Sequence, residues 1–328
     1  MKWQDKFLPQ PLNQGEQVPG LFCAHLTSWK AIQATGNDSK SYLQGQLTCD
    51  IVKLEADKST LGAHCDAKGK VWSIFRLFAH NQGYALLQHA SAVNIALAEI
   101  KKYAVFSKVD ISISDEVVLG IMGEQVQSYI NTISEGSGDV RQLQNGKGSS
   151  VKVDESRWIL ILDQQSAEEL IAENIATENH AFTLTDESIW DKFDIENAIP
   201  RVTSDNQNEH IPQTFNLQAL DGISFNKGCY TGQETVARAK YRGTNKRGMF
   251  IVQSEQSIPM AEKIILERSV GENWRNAGQL ICQYQYADGK SIGLIILPNN
   301  LESDVKFRQA DNPEIIWSLV DTPYSLED

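Results

Sequence analysis

The pattern of secondary-structure signals changes near residue 245, and this change limits the possible folds more than any other feature of the sequence. Short apolar segments follow Gly243 at spacings of roughly 10–14 residues, with Gly, Pro, Asn and Asp between them and no helix-like stretch. Evenly spaced short strands of this kind are typical of a small β-sandwich or barrel. The sequence therefore predicts an all-β domain over residues 246–328. Its six predicted strands are 248–253, 263–270, 278–285, 290–297, 304–308 and 314–320.

The first 245 residues instead alternate between strand-like and helix-like segments. Residues 60–78 have the composition of a hairpin, and the apolar runs 117–122 and 157–163 are each followed by a helix-like stretch. The Gly-, Ser- and Gln-rich segment 134–150 predicts a mobile loop. With 328 residues the chain is too long for one ordinary core, so we expect an α+β domain over residues 1–245 before the β domain.

Composition excludes several classes of protein. A net charge of -12 gives no general attraction to nucleic acid or to anionic membranes. Five cysteines without a CxxC pair predict neither a disulfide framework nor a zinc ribbon. The polar start and the absence of a long apolar run predict a cytoplasmic protein without membrane contact. No metal site is expected, because metal-ligand spacing is missing among His25, His64, His80, His89, His180 and His210.

The segment 225–234 contains the most informative motif. Its last four residues, Thr-Gly-Gln-Glu, match a capping box with Thr231 as the helix N-cap, which places Cys229 two residues before the N-cap. The positive end of the helix and the nearby Lys227 would both favour a thiolate at Cys229. Two interpretations remain open from these residues: a reactive cysteine, or a tight turn with a small buried residue.

Residues 227–234, Lys-Gly-Cys-Tyr-Thr-Gly-Gln-Glu, resemble the signature of the YgfZ family of folate-binding, tRNA-modifying proteins. These proteins are relatives of the glycine cleavage T-protein, an aminomethyltransferase. Segments 38–50, 63–78, 101–109 and 211–240 also resemble family blocks, so the resemblance covers nearly the whole chain. It implies a T-protein-like folate-binding domain of duplicated βαβ-type units, a C-terminal six-stranded β-barrel, and tetrahydrofolate as cofactor.

The resemblance also implies a folate site. Trp29 and Trp190 match folate-contacting positions of the family, and Glu196 resembles the T-protein glutamate that contacts the pterin. A pterin is flat and needs an aromatic face and a carboxylate for its guanidine-like edge. In the T-protein, the strand after the hairpin turn carries a catalytic aspartate, whereas the equivalent segment 69–74 has no carboxylate and Ser73 stands near that place. Glycine-cleavage chemistry is therefore not expected.

A basic segment follows the cysteine motif. It fits a site for phosphate or for the glutamate tail of folate, a contact with tRNA or an acidic partner, or a solubilising run at a domain junction. No RNA-binding fold signature accompanies it, so direct tRNA contact is not favoured. Its five cations are Arg238, Lys240, Arg242, Lys246 and Arg247.

The expected function is that of a tetrahydrofolate-binding accessory or regulatory protein that supports iron–sulfur enzymes and tRNA modification. In this account Cys229 is the reactive group, assisted by Lys227, and the partners are iron–sulfur or tRNA-modifying enzymes. Enzymatic turnover by the chain itself is not favoured. The alternatives are a folate-dependent one-carbon transferase with Cys229 as nucleophile, and a folate-sensing module in which Cys229 is structural.

Overall fold

The computed structural model describes residues 2–18, 20–144, 146–176, 182–243, 245–259, 261–302 and 304–326. The strands before residue 245 are β1 (Phe22–His25), β2 (Trp29–Thr35), β3 (Ser59–Cys65), β4 (Val71–His80), β5 (Gly83–His89), β6 (Asp110–Ile113), β7 (Val117–Met122), β8 (Ser134–Glu135), β9 (Val140–Leu143), β10 (Gly148–Asp154), β11 (Arg157–Leu162) and β12 (Thr183–Thr185). The α-helices are α1 (Ser39–Gln44), α2 (Val93–Lys101), α3 (Val126–Ile133), α4 (Gln164–Ala176), α5 (Ser188–Glu196) and α6 (Gln233–Tyr241). The last strands are β13 (Arg247–Ser254), β14 (Ile265–Val270), β15 (Asn273–Gln279), β16 (Cys282–Gln285), β17 (Ser291–Pro298), β18 (Phe307–Gln309) and β19 (Ile316–Val320).

Two sheets pack face to face before residue 245. Sheet I has the strand order β12-β1-β7-β11-β10-β9-β8, and sheet II has the order β3-β4-β5-β2-β6. Strand β7 shows why sheet I is buried on both sides. Its Val118 and Met122 contact sheet II, whereas Leu119 and Ile121 contact α3 and α4, because alternate residues of a strand face opposite sides. Helices α1 and α2 cover the outer face of sheet II. The predicted α+β class is confirmed as two helix-covered sheets.

The C-terminal sheet, sheet III, has seven strands in the order β15-β14-β18-β19-β13-β17-β16. It is a curled half-barrel, so the count of six predicted strands was wrong by one. The missed strand is β15, whose polar residues are mostly exposed and lack the apolar alternation of a half-buried strand. Sheet III opens at Arg247, and we retain the division into residues 1–245 and 246–328 as a proposal.

The segment 134–150 was predicted as a mobile loop, and that prediction was wrong. Strands β8, β9 and the start of β10 occupy it and extend sheet I beyond β11. Ladder hydrogen bonds and the burial of Leu143 and Ser149 hold these strands despite their Gly- and Ser-rich sequence. Within the described residues, none of the helices has the length and apolar character needed to cross a bilayer.

The buried imidazole of His64 on β3 makes stability dependent on pH. Burial, with a smaller contribution from the charge of Lys102, lowers the pKa of His64 to about 4, while the unfolded side chain titrates near its ordinary value of about 6.5. Between these values the unfolded chain holds the extra proton, so the free energy of unfolding falls as the pH falls from 6.5 towards 4. The slope from this residue reaches about 1.4 kcal/mol per pH unit. We expect His64→Leu to remove this part of the slope in denaturant unfolding measured at pH 7, 6 and 5. Equal slopes in both proteins would contradict it.

Candidate functional site

The two tryptophans implied by the family resemblance line one pocket. Trp29 begins β2 and is half-buried, whereas Trp190 lies in α5 and is buried. The pocket between them is narrow, with a volume of about 30 Å³. Its other walls are formed by Leu26, Leu61, Ile74, Phe75, Arg76, Leu87, Val153, Ile159, Asp194, Ile199 and Pro200. Residues 161 positions apart in sequence are thus brought to the same site because Trp190 of α5 packs into the core that sheets I and II share.

The indole of Trp190 can approach the backbone of sheet I closely because β7 has a glycine at the point of contact. A Cβ atom at Gly120 would be 2.4 Å from Cε3 of Trp190, which is closer than any tolerated contact. Gly120 therefore fixes how deeply this indole enters the sheet. Glycine inside a strand often marks such a close approach.

An arginine lies over the ring of each indole, and one carboxylate accepts hydrogen bonds from both arginines. Arg157 Cζ lies 4.9 Å from the ring centroid of Trp190, and Arg201 Cζ lies 5.2 Å from that of Trp29. Arg157 Nη1 donates to Asp194 Oδ1 at 2.7 Å, and Arg201 Nη2 donates to Asp194 Oδ2 at 3.0 Å. Cation–π contacts of this kind are strongest where the groups are desolvated, as here. This Arg157–Asp194–Arg201 triad fixes the two walls of the pocket relative to each other.

The triad was missed by sequence reasoning. Asp194 could have been found, since it follows Trp190 by four positions and so lies on the same face of α5. The arginines gave no local signal, because Arg157 comes from β11 and Arg201 from the segment after α5. Arg157 Nη2 and Arg201 Nε are buried without a hydrogen-bond partner among the described residues, and neither arginine lines the pocket.

Glu196, the predicted pterin contact, does not line this pocket. It accepts hydrogen bonds from Lys192 Nζ at 2.9 Å and from the hydroxyl of Tyr286 at 3.1 Å, at the contact between α5 and sheet III. The carboxylate that lines the pocket is Asp194. Strand β4 contributes Ile74, Phe75 and Arg76 to the wall and no carboxylate, and Ser73 is not part of the lining.

The cysteine motif lies on a loop that leads into α6. Cys229 is exposed and does not line the tryptophan pocket, so the structure does not bring the thiol and the two indoles together. The capping-box prediction was wrong: the N-cap is Gly232, with φ of 84°, rather than Thr231. A Cβ at Gly232 would lie 2.5 Å from the carbonyl oxygen of Asp66, so docking of the loop onto the β3–β4 turn sets the helix start. Glu234 pairs with Arg238 instead of completing a cap.

Lys227 forms hydrogen bonds that connect the loop carrying Cys229 to the N-terminal half of the chain. Its ammonium donates to the carbonyl oxygens of Gln44 at 2.6 Å, Leu47 at 2.7 Å and Cys49 at 2.8 Å, at the end of α1 and in the segment that follows it. Burial lowers the pKa of Lys227 to about 8, and the group remains mostly protonated at neutral pH. All three ammonium hydrogens are directed at carbonyls, so this lysine positions the loop that carries Cys229.

The basic segment does not form one cationic cluster. Arg238 is paired with Glu234, and Lys240 lies over the ring of Phe225, with Nζ 4.2 Å from the centroid. Arg247 donates to the carbonyl oxygen of Ile296 at 3.1 Å. The remaining cations, Arg242 and Lys246, are exposed.

Metal-binding residues do not converge in the part of the chain that the structure describes. No three His, Cys, Asp or Glu side chains there form a group that could hold a metal ion. His180 lies outside the described residues.

Two helix-covered sheets followed by a curled sheet form the fold of the T-protein. The crystal structure of glycine cleavage system aminomethyltransferase T from Bartonella henselae matches 94% of this chain and 87% of its own, with a TM-score of 0.72 and 13% identity. At that identity the likeness shows the fold alone. The chain is therefore a protein of the T-protein fold class.

Sequence comparison then narrows the class to a family. The model of the YgfZ beta-barrel domain matches residues 245–312. The tRNA-modifying protein YgfZ of Vibrio atlanticus is 53% identical over 330 residues, covering 100% of both chains. The protein of the same name from Photobacterium profundum is 52% identical over 313 residues, covering 95% of this chain and 94% of its own. This chain belongs to the YgfZ family.

Proposed function

We propose that this chain binds a reduced folate, tetrahydrofolate, in the tryptophan pocket and supports the tRNA modification for which its relatives are named. The observation that carries the proposal is the convergence of Trp29, Trp190 and Asp194 on one pocket. Indole faces suit the flat pterin, and a carboxylate suits its guanidine-like edge.

Binding requires the pocket to widen. A volume of about 30 Å³ holds roughly two water molecules, which is less than a pterin needs. Trp190 is fixed against Gly120, so the partly exposed Trp29 is the wall that moves. When the Trp29 ring turns, the guanidinium of Arg201 either moves with it or loses its contact with the ring.

In this proposal Cys229 acts on a partner enzyme, such as an iron–sulfur or tRNA-modifying enzyme, rather than on the folate. A nucleophile must come within about 3–3.5 Å of the carbon that it attacks. Cys229 is exposed and outside the pocket lining, which disfavours the one-carbon transferase alternative. Its exposure instead suits contact with another protein.

We expect Trp29→Ala to weaken tetrahydrofolate binding by about 1–3 kcal/mol, or roughly 5- to 150-fold, because one stacking wall is lost. Anaerobic isothermal titration calorimetry with tetrahydrofolate measures this. The matched control is Trp274→Ala, because Trp274 also lies under an arginine, Arg308 at 4.2 Å, but in sheet III away from the pocket. Equal affinity in wild type and both variants would reject the pocket as the folate site.

We expect Cys229→Ala to retain tetrahydrofolate affinity and to lose support of tRNA modification, because the thiol lies outside the pocket. The modified nucleosides of tRNA are quantified by mass spectrometry in cells that carry each variant as the only copy. Cys282→Ala, which removes a partly buried thiol, is the control and should behave as wild type. Full modification with Cys229→Ala would instead favour the folate-sensing module in which this cysteine is structural.

A further inference from the structure

A cavity of about 860 Å³ lies apart from the tryptophan pocket and shares no lining residue with it. The β4–β5 turn, the start of α1 and the β9–β10 hairpin surround it. Its lining is mainly polar, including Ser39, Lys40, His80, Asn81, Arg141 and Ser149. Nothing in the folate proposal uses this space.

A serine, a histidine and a glutamate form one hydrogen-bonded line at the wall of this cavity. His80 Nδ1 lies 2.9 Å from the hydroxyl oxygen of Ser149, and His80 Nε2 lies 2.9 Å and 3.0 Å from the two carboxylate oxygens of Glu116. With its hydrogen on Nε2, the imidazole donates to Glu116 and accepts from the Ser149 hydroxyl. The arrangement is that of a nucleophile, its base and the group that orients the base.

The carboxylate of Glu116 accepts hydrogen bonds from several further donors. Ser114 Oγ donates to Glu116 at 2.6 Å, and the amides of Gln33 and Asn81 donate to the same carboxylate. Although burial alone would raise the pKa of Glu116, the hydrogen bonds from His80 and Ser114 hold it below its ordinary value. Glu116 therefore stays ionised and keeps the imidazole in the orientation that faces Ser149.

The backbone next to His80 has an uncommon conformation. Asn81 and the following Gln82 both have positive φ, 47° and 61°, at the β4–β5 turn. Asn commonly accepts this conformation, whereas Gln rarely does. The turn aims the Asn81 amide at Glu116, beside the fully buried imidazole of His80.

We propose that Ser149, His80 and Glu116 are a second reactive site, which cleaves a small polar ester or thioester bound in this cavity. Ser149 Oγ attacks the carbonyl carbon and its proton passes to His80 Nδ1. The bond from that carbon to the leaving oxygen or sulfur breaks, and the leaving group takes the proton from His80. Water then attacks the acyl-serine with the same proton path, which releases the acid and restores the serine. The cation of Lys40, which lines the same cavity, offsets the negative charge that develops on the carbonyl oxygen.

The test is covalent labelling of the native full-length chain with a fluorophosphonate probe. The serine oxygen bonds to phosphorus as the P–F bond breaks, and the serine proton leaves with fluoride by way of His80. We expect one adduct, on the peptide that contains Ser149, found by mass spectrometry. His80→Gln should slow labelling by about 100-fold or more, the scale of a lost general base. Ser150→Ala, which removes the neighbouring buried hydroxyl on the other face of β10, should label as wild type.

Labelling of the wild-type protein tests whether Ser149 is a nucleophile even where a variant fails to fold. No adduct at Ser149 in wild type whose thermal melt shows it folded would overturn the proposal, and would leave the line as a hydrogen-bonded link between sheets I and II. An adduct at Ser149 that forms equally fast in folded His80→Gln would also overturn it. Hydrolysis of p-nitrophenyl acetate that is lost in Ser149→Ala is the expected second readout. Tetrahydrofolate affinity should not change in any of these variants, since the two pockets are separate.

Discussion

Replacing Asp194 with alanine is expected to lower the free energy of unfolding by about 3–5 kcal/mol, the usual loss when one partner of a buried ionic group is removed. Asp194 is 3% exposed in its side chain, and it is the shared partner of Arg157 and Arg201, which are 1% and 4% exposed. Its loss leaves two buried guanidinium groups with fewer acceptors. Denaturation by urea or guanidinium, followed by tryptophan fluorescence or circular dichroism, measures the change.

The control for this variant is Asp205→Ala. Asp205 also accepts from a cation, Lys263 at 2.6 Å, but both side chains are about half exposed or more. Water replaces such a partner readily, so the denaturation midpoint should stay close to that of wild type. A similarly small change with Asp194→Ala would show that the triad does not hold the pocket together.

Replacing Gly120 with alanine is expected to destabilise the protein by about 1–3 kcal/mol and to weaken tetrahydrofolate binding as well. The added methyl would lie 2.4 Å from the Trp190 ring, in the middle of a strand that is buried along its whole length. Either the indole or β7 must shift, and the pocket changes shape in both cases. Chemical denaturation and calorimetric titration of the same sample separate the two effects.

Gly45→Ala is the matched control for Gly120→Ala. The nearest atom to a Cβ at Gly45 is 3.6 Å away, an ordinary contact, and its backbone φ is -83°. This variant should retain the stability and the affinity of wild type. Wild-type affinity in Gly120→Ala would mean that the position of the Trp190 ring does not matter for the ligand.

Much of the fold followed from local sequence. The apolar runs of β7 and β11 are buried on both faces, so their composition alone marked them as strands. Strand β15 and the strands of segment 134–150 were missed because their stability comes from pairing with neighbours rather than from apolar alternation. The start of α6 was misplaced for a similar reason, since docking of Gly232 against the β3–β4 turn outweighs the local capping pattern.

The candidate site was predictable only in part. The resemblance pointed to Trp29 and Trp190, and the structure places them in one pocket. The groups that fix them, Arg157 and Arg201, come from elements whose proximity no local pattern encodes. The placement of Glu196 against Tyr286 instead of the pocket also depends on the docking of sheet III.

A crystal structure of the protein with tetrahydrofolate tests the central claim most directly. We predict pterin density against the indoles of Trp29 and Trp190, with Asp194 facing the guanidine-like edge and Trp29 rotated from its present position. Pterin density at any other place on the chain, with this pocket still closed at saturating ligand, would contradict the account.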